Sequence, residues 1–137
     1  MADGEALVEM AVIARREGRL KDCADLYRQA AETFDSAGEL MRGAHAARHE
    51  AEVLWKTGDA EGACKVILAV LAFYRTREVG RLELANTLRV AGLAEEGRGG
   101  RDAARGFWAE ARGLYEAEGI DVAVTECERR LKVLGVG

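Results

Sequence analysis

Apolar positions along this chain recur with the period of an α-helix, and the same stretch recurs three times. The segments GRLKDCADLYRQAAETF from Gly18, GDAEGACKVILAVLAFY from Gly58 and GGRDAARGFWAEARGLY from Gly99 align at offsets of 40 and 41 residues. Five columns then fall into step. The three glycines coincide, followed by small residues (Cys23, Ala63, Ala104) and large ones (Tyr27, Ile67, Trp108). A further column holds Ala30, Val70 and Ala111, and aromatic or ring-bearing closers stand at Phe34, Tyr74 and Tyr115. Counted from the small residue these positions are i, i+4, i+7 and i+11, which is one stripe of a helix. Glycine before the stripe suits a left-handed residue at the end of the preceding helix, a conformation that any Cβ disfavours.

The pattern predicts first helices at about 5–17, 40–57 and 80–97, and second helices at about 20–35, 60–75 and 101–117. Gly38 and Gly119 are expected to end their helices in the same way. A last stripe, Ile120, Val124, Cys127, Leu131 and Leu134, predicts a capping helix at about 120–134, with Asp121 at its start and Arg129, Arg130 and Lys132 near its end, as the helix dipole favours. Proline is absent and no period-two alternation persists, so the class is all-α.

Composition narrows the functional classes. At 137 residues, with 49% hydrophobic and 32% charged residues, the chain reads as one folded domain over 1–137 rather than a disordered segment. A formal net charge of -4 argues against nucleic acid as a partner, since that affinity comes mainly from neutralising phosphates. The longest apolar run, 66–74, is far too short to span a membrane, and the opening MADGEALVEM has no basic or apolar leader region. Three scattered cysteines, Cys23, Cys64 and Cys127, read as reduced core thiols, and hence as a cytoplasmic protein. Arginine outnumbering lysine hints at a bacterial source.

The helix, glycine turn, helix unit resembles the tetratricopeptide repeat family over nearly the whole chain. Its Leu-Gly-like first-helix pair has counterparts in Met10-Ala11 and Ala91-Gly92, whereas repeat two departs with Glu50-Ala51. The long period and missing closing proline are similar to the longer-helix members found in kinesin light chains and bacterial regulators. The resemblance implies a right-handed α-solenoid of three helix-turn-helix repeats, at about 4–38, 39–79 and 80–118, plus the capping helix. It also implies a concave groove lined by the first helices, in which His45, Arg48, His49, Glu52 and Lys56 of repeat two and Asn86 and Arg89 of repeat three would meet a protein or peptide segment. Chaperone-binding members clamp a terminal carboxylate. The matching positions here hold Val8, Val12, His49, Asn86 and Val90, which lack that donor set.

Catalytic readings are weaker. His45 and His49 have the i, i+4 spacing of metal ligands with Glu52 a turn further on, but HAARH lacks a metalloprotease glutamate and no cysteine completes a site, so neither a metal nor a cofactor is expected. With Ser36 the single serine, a hydrolytic triad has little to draw on. The glycines of EGRGGRD follow no strand and precede no GK[ST], so they read as a helix turn. Carboxylates at Glu126 and Glu128 disfavour a thiolate at Cys127. One alternative to the groove remains. The second helix of repeat two is apolar almost all round, and its extra stripe of Val66, Ala69 and Phe73 suggests self-association into a homodimer.

Overall fold

The computed structural model describes residues 3–135; the outermost residues of the 1–137 span, 1–2 and 136–137, lie outside the described residues. Among the described residues there are seven helices and no strand: α1 (Gly4–Arg16), α2 (Leu20–Ser36), α3 (Leu40–Lys56), α4 (Ala60–Tyr74), α5 (Arg81–Gly97), α6 (Arg101–Ala117) and α7 (Asp121–Val133). Each lies within a residue or so of the expected span. The chain divides into two compact units after Val70, within α4.

Five of the six connections share one turn. Gly18, Gly38, Gly58, Gly99 and Gly119 have φ of +76°, +78°, +90°, +86° and +72°. In each, the residue after the glycine donates its N–H to a carbonyl five residues back, as Arg19 does to Ala14 at 2.8 Å and Gly100 to Glu95 at 2.7 Å. The left-handed glycine thus satisfies carbonyls that a helix end would leave bare, and the next residue stands directly before the following helix. The α4–α5 connection is different. Gly80 has an ordinary φ of -60° and extended backbone, and the chain runs from 75 to 80 without a left-handed residue.

In the first unit α2 packs between α1 and α3. Ala11 and Ala14 of α1, Cys23, Ala24 and Tyr27 of α2 and Val53 of α3 form one apolar cluster, and Leu7, Ala30, Ala31, Phe34 and Ala46 form a second. In the second unit α6 packs between α5 and α7, burying Trp108, Ala111 and Tyr115. Ion pairs tie α7 down: Arg89 of α5 holds Glu126 at 2.7 Å, Arg130 of α7 reaches Glu96 at 3.3 Å, and Arg112 of α6 meets Glu128 at 3.2 Å. Arg105 donates from Nε to the Leu134 carbonyl at 2.9 Å, which satisfies an end group of α7.

One column of the repeat records a volume trade. Sixteen residues before each large residue of the second helix stands a small one: Ala11 before Tyr27, Ala51 before Ile67, and Gly92 before Trp108. All six are deeply buried. The largest ring faces the smallest neighbour, and a Cβ on Gly92 would lie 2.6 Å from the indole Cε2. Trp108 Nε1 donates to Glu96 Oε2 at 2.6 Å, so the buried indole also has its hydrogen bond.

Substituting Gly92→Ala should therefore destabilise the chain by about 1–3 kcal/mol, the usual range for overpacking, although alanine is the better helix former. In a Trp108→Ile background, which recreates the repeat-two pairing, the same alanine should be neutral or stabilising. Urea denaturation of the four proteins checks this. If Gly92→Ala stabilises the parent chain, the indole does not rest on that glycine.

Candidate functional site

The histidine pair on α3 lies where α1, α2 and α3 come together. His45 is exposed and His49 partly buried; their rings meet edge to face with centroids 4.9 Å apart and Nε2 atoms 3.3 Å apart. His49 stacks on Tyr27 of α2 at 5.1 Å with 17° between the planes. Since Tyr27 occupies the large column of repeat one, the repeat core itself sets the imidazole's orientation. Its Nδ1 is buried and, among the described residues, has no hydrogen-bond partner. Burial, reinforced by the charges of Arg48 and a protonated His45, depresses the His49 pKa to about 4, with Glu52 opposing the shift. At neutral pH the ring is uncharged.

Around this pair the α1–α3 face is graded. Arg42 pairs with Glu5 of α1 and lays its guanidinium 4.5 Å over the Phe34 ring. Val8 and Val12 are half-buried, and Arg15 is close enough for its charge to act on His49. The other expected groove residues of repeat two separate. Glu52 is half-buried and Lys56 exposed, whereas Arg48 is 9% exposed and so belongs to the interior more than to a surface.

In repeat three the candidates are engaged within their own unit. Asn86 Oδ1 accepts a 2.6 Å hydrogen bond from the Tyr115 hydroxyl, and Arg89 clamps Glu126 of α7 with Nε at 2.7 Å and Nη2 at 3.2 Å. Both residues, which the resemblance places in a groove, thus make contacts within their own unit. Of the candidate self-association stripe, Ala69 is exposed while Val66 and Phe73 are half-buried, and Arg77 covers the Phe73 ring at 3.7 Å.

No group of three or more histidine, cysteine or acidic side chains among the described residues could hold a metal ion. All three cysteines are buried free thiols, and burial, then Glu126, pushes Cys127 up to about 11. No helix among the described residues is long and apolar enough to cross a membrane.

Glu50, beside His49 in sequence, was absent from the expected site. It is only 8% exposed, and burial pushes its carboxyl up to about 7. The signal was the break in the repeat: a glutamate stands where repeats one and three carry Met10 and Ala91.

The chain matches no protein-family model and no curated protein.

His49 and Glu50 set opposing pH dependences. His49 titrates near 6.5 when unfolded and about 4 when folded, so the unfolded state takes up its proton first and stability is lost as pH falls through that window. Glu50 titrates near 4.5 when unfolded and about 7 when folded, so its contribution is fully present below 4.5 and is lost as pH rises to 7. Between pH 7 and 5 each amounts to about 2 kcal/mol, of opposite sign. Relative to the parent, His49→Phe should gain about 2 kcal/mol on going from pH 7 to pH 5, and Glu50→Gln should lose about as much. Urea midpoints at the two pH values check both. Parallel pH dependences in all three proteins would contradict the burial of these groups.

Proposed function

We propose that the chain is a non-catalytic interaction module of the tetratricopeptide type, which binds a segment of a partner protein on the α1–α3 face around His45 and His49. The observation that carries this reading is an exposed histidine, His45, set edge to face on the ring of His49, which Tyr27 orients and whose Nδ1 is buried and unpartnered. A buried polar nitrogen without a hydrogen bond costs free energy, and such groups in folded proteins call for an explanation. That atom is itself closed to solvent, so a docked segment meets the pair at the exposed His45, whose Nε2 lies 3.3 Å from His49 Nε2. Support also comes from the half-buried Val8 and Val12 alongside, which give a segment apolar surface, and from the five glycine turns, which are those the repeat needs.

Polarity of the face favours a segment with both apolar and hydrogen-bonding side chains. Arg42 is already neutralised by Glu5, and His49 carries no charge at pH 7, so the partner needs no strong charge of its own. Binding of this kind rests on a few desolvated anchors rather than on ion pairs at the rim.

The test is a photo-crosslinking residue introduced at position 45, with position 102 of the second unit as control, in cells of the source organism. Position 45 should give a discrete adduct that position 102 does not, and Val8→Asp should abolish it without unfolding the chain. Indistinguishable adducts from both positions, or an adduct insensitive to Val8→Asp, would remove the face from consideration.

A further inference from the structure

Away from the histidine pair, α2 and α3 leave a trough of about 250 Å³ between them. One wall is the α2 stripe of Lys21, Ala24, Asp25 and Arg28, and the other is Glu50 and Leu54 of α3. The polar groups on the α2 side largely satisfy one another. Arg28 donates to Glu32 at 2.8 Å and pairs with Asp25, which also accepts from Gln29 Nε2 at 2.9 Å. Glu50 does not share in this. More than nine-tenths buried, its carboxyl has no hydrogen-bond donor or ion-pair partner among the described residues, yet it lines the trough.

We propose that this trough is a binding site for an alkylammonium or alkylguanidinium group, whose positive head pairs with the Glu50 carboxylate while its stem lies along Ala24 and Leu54. A carboxylate so nearly buried and without a protein donor is relieved by a proton, by the solvent that reaches the trough, or by a cation that occupies it. Of the two cationic side chains that line the trough, Arg28 is already neutralised by Asp25 and Glu32, and Lys21 lies exposed at its edge. The cationic head therefore comes from outside. The cavity is smaller than the roughly 300–1,000 Å³ of pockets for drug-sized ligands, and suits one side chain or a small amine. Ala24 and Leu54 both pack on the apolar cluster of the first unit, so the floor beneath the stem is fixed rather than adaptable. Protons compete with the cation. Burial raises the affinity of Glu50 for a proton, Arg28 lowers it, and Glu32 and Asp25 raise it. Occupancy accordingly increases as pH rises through neutrality.

Two sources share this chemistry, the basic side chain of a bound protein and a free amine. NMR titrations of the isotopically labelled full chain separate them, using n-butylammonium, n-butylguanidinium and Nα-acetyl-lysine methylamide as probes, with 1-butanol and butyrate as neutral and anionic controls. The cationic probes should shift the amides of residues 21–28 and 50–57, bind at least tenfold more tightly than either control, and lose at least tenfold in affinity in Glu50→Gln. Binding of the blocked lysine assigns the site to a partner's side chain, and binding of the free amines alone assigns it to a small molecule; either supports the proposal. Because Glu50→Gln also changes the trough itself, the Glu50 carboxyl carbon is followed directly in the parent chain, where n-butylammonium should lower its titration midpoint by at least one pH unit. An unmoved midpoint, equal binding of butyrate, or cation binding that survives Glu50→Gln overturns the assignment. So does a carboxyl that titrates in the ordinary range without any probe, since Lys21 would then be supplying the cation.

Discussion

The left-handed glycine turn is the constraint from which the rest of this structure follows. Helix ends expose carbonyls that must find donors, and a single residue at positive φ lets its own N–H and the next one turn back onto them. Because the turn is so short, each following helix begins two residues beyond the glycine, with a single N-cap residue between. Helices joined so tightly have little choice but to pack against their predecessor, and the apolar stripe then falls on the shared side. Most of these helices lack a side-chain cap at their start, as at Arg19, Glu39, Gly100 and Ile120. Except at α4, the chain ends its helices with geometry rather than beginning them with chemistry. Asp3 and Asp59 are the exceptions, accepting from Ala6 and Gly62 at 2.8 and 2.9 Å.

Helices placed by their turns must still fit side by side, and the repeat solves this with matched volumes. Alanine sits beneath Tyr27, and glycine beneath Trp108, where a methyl group would meet the indole. Gly4 does the same for Phe34, whose Cε1 would lie 2.4 Å from an added Cβ. Such pairs are short-range in space but sixteen or thirty residues apart in sequence. Periodicity alone therefore marks each partner as buried without saying that one was chosen for the other.

This difference explains what the sequence disclosed. Gly18, Gly58 and Gly99, the stripes and the helix spans were legible because local rules of turn and period govern them. Asn86 and Arg89 show where local rules stop. A polar residue at a groove-facing register reads as available for a partner, yet Tyr115 and Glu126, far along the chain, had already claimed them. Arg48 went the same way, since its position on α3 marked it as a surface cation and tertiary packing buried it. Surface chemistry is set by long-range neighbours, and a single sequence names no neighbours.

Glu50 was legible only as an irregularity. A repeat sequence carries its own internal control, because each column states what the fold wants at that place. In this column Met10 is exposed, Ala91 is fully buried and Glu50 nearly so, so burial here differs from repeat to repeat. A glutamate there gains nothing from the column and loses the hydration of its charge. His49, one residue earlier, also gives up its favourable protonated form near neutrality and leaves Nδ1 without a partner. Two adjacent residues of one helix thus hold buried titratable groups that the apolar core does not require. Chains lose such groups readily where nothing depends on them, since most apolar replacements would stabilise the fold. The second unit also buries a carboxylate, Glu95 of α5, but there Arg98 pairs with it at 2.7 Å, a partner that Glu50 lacks among the described residues.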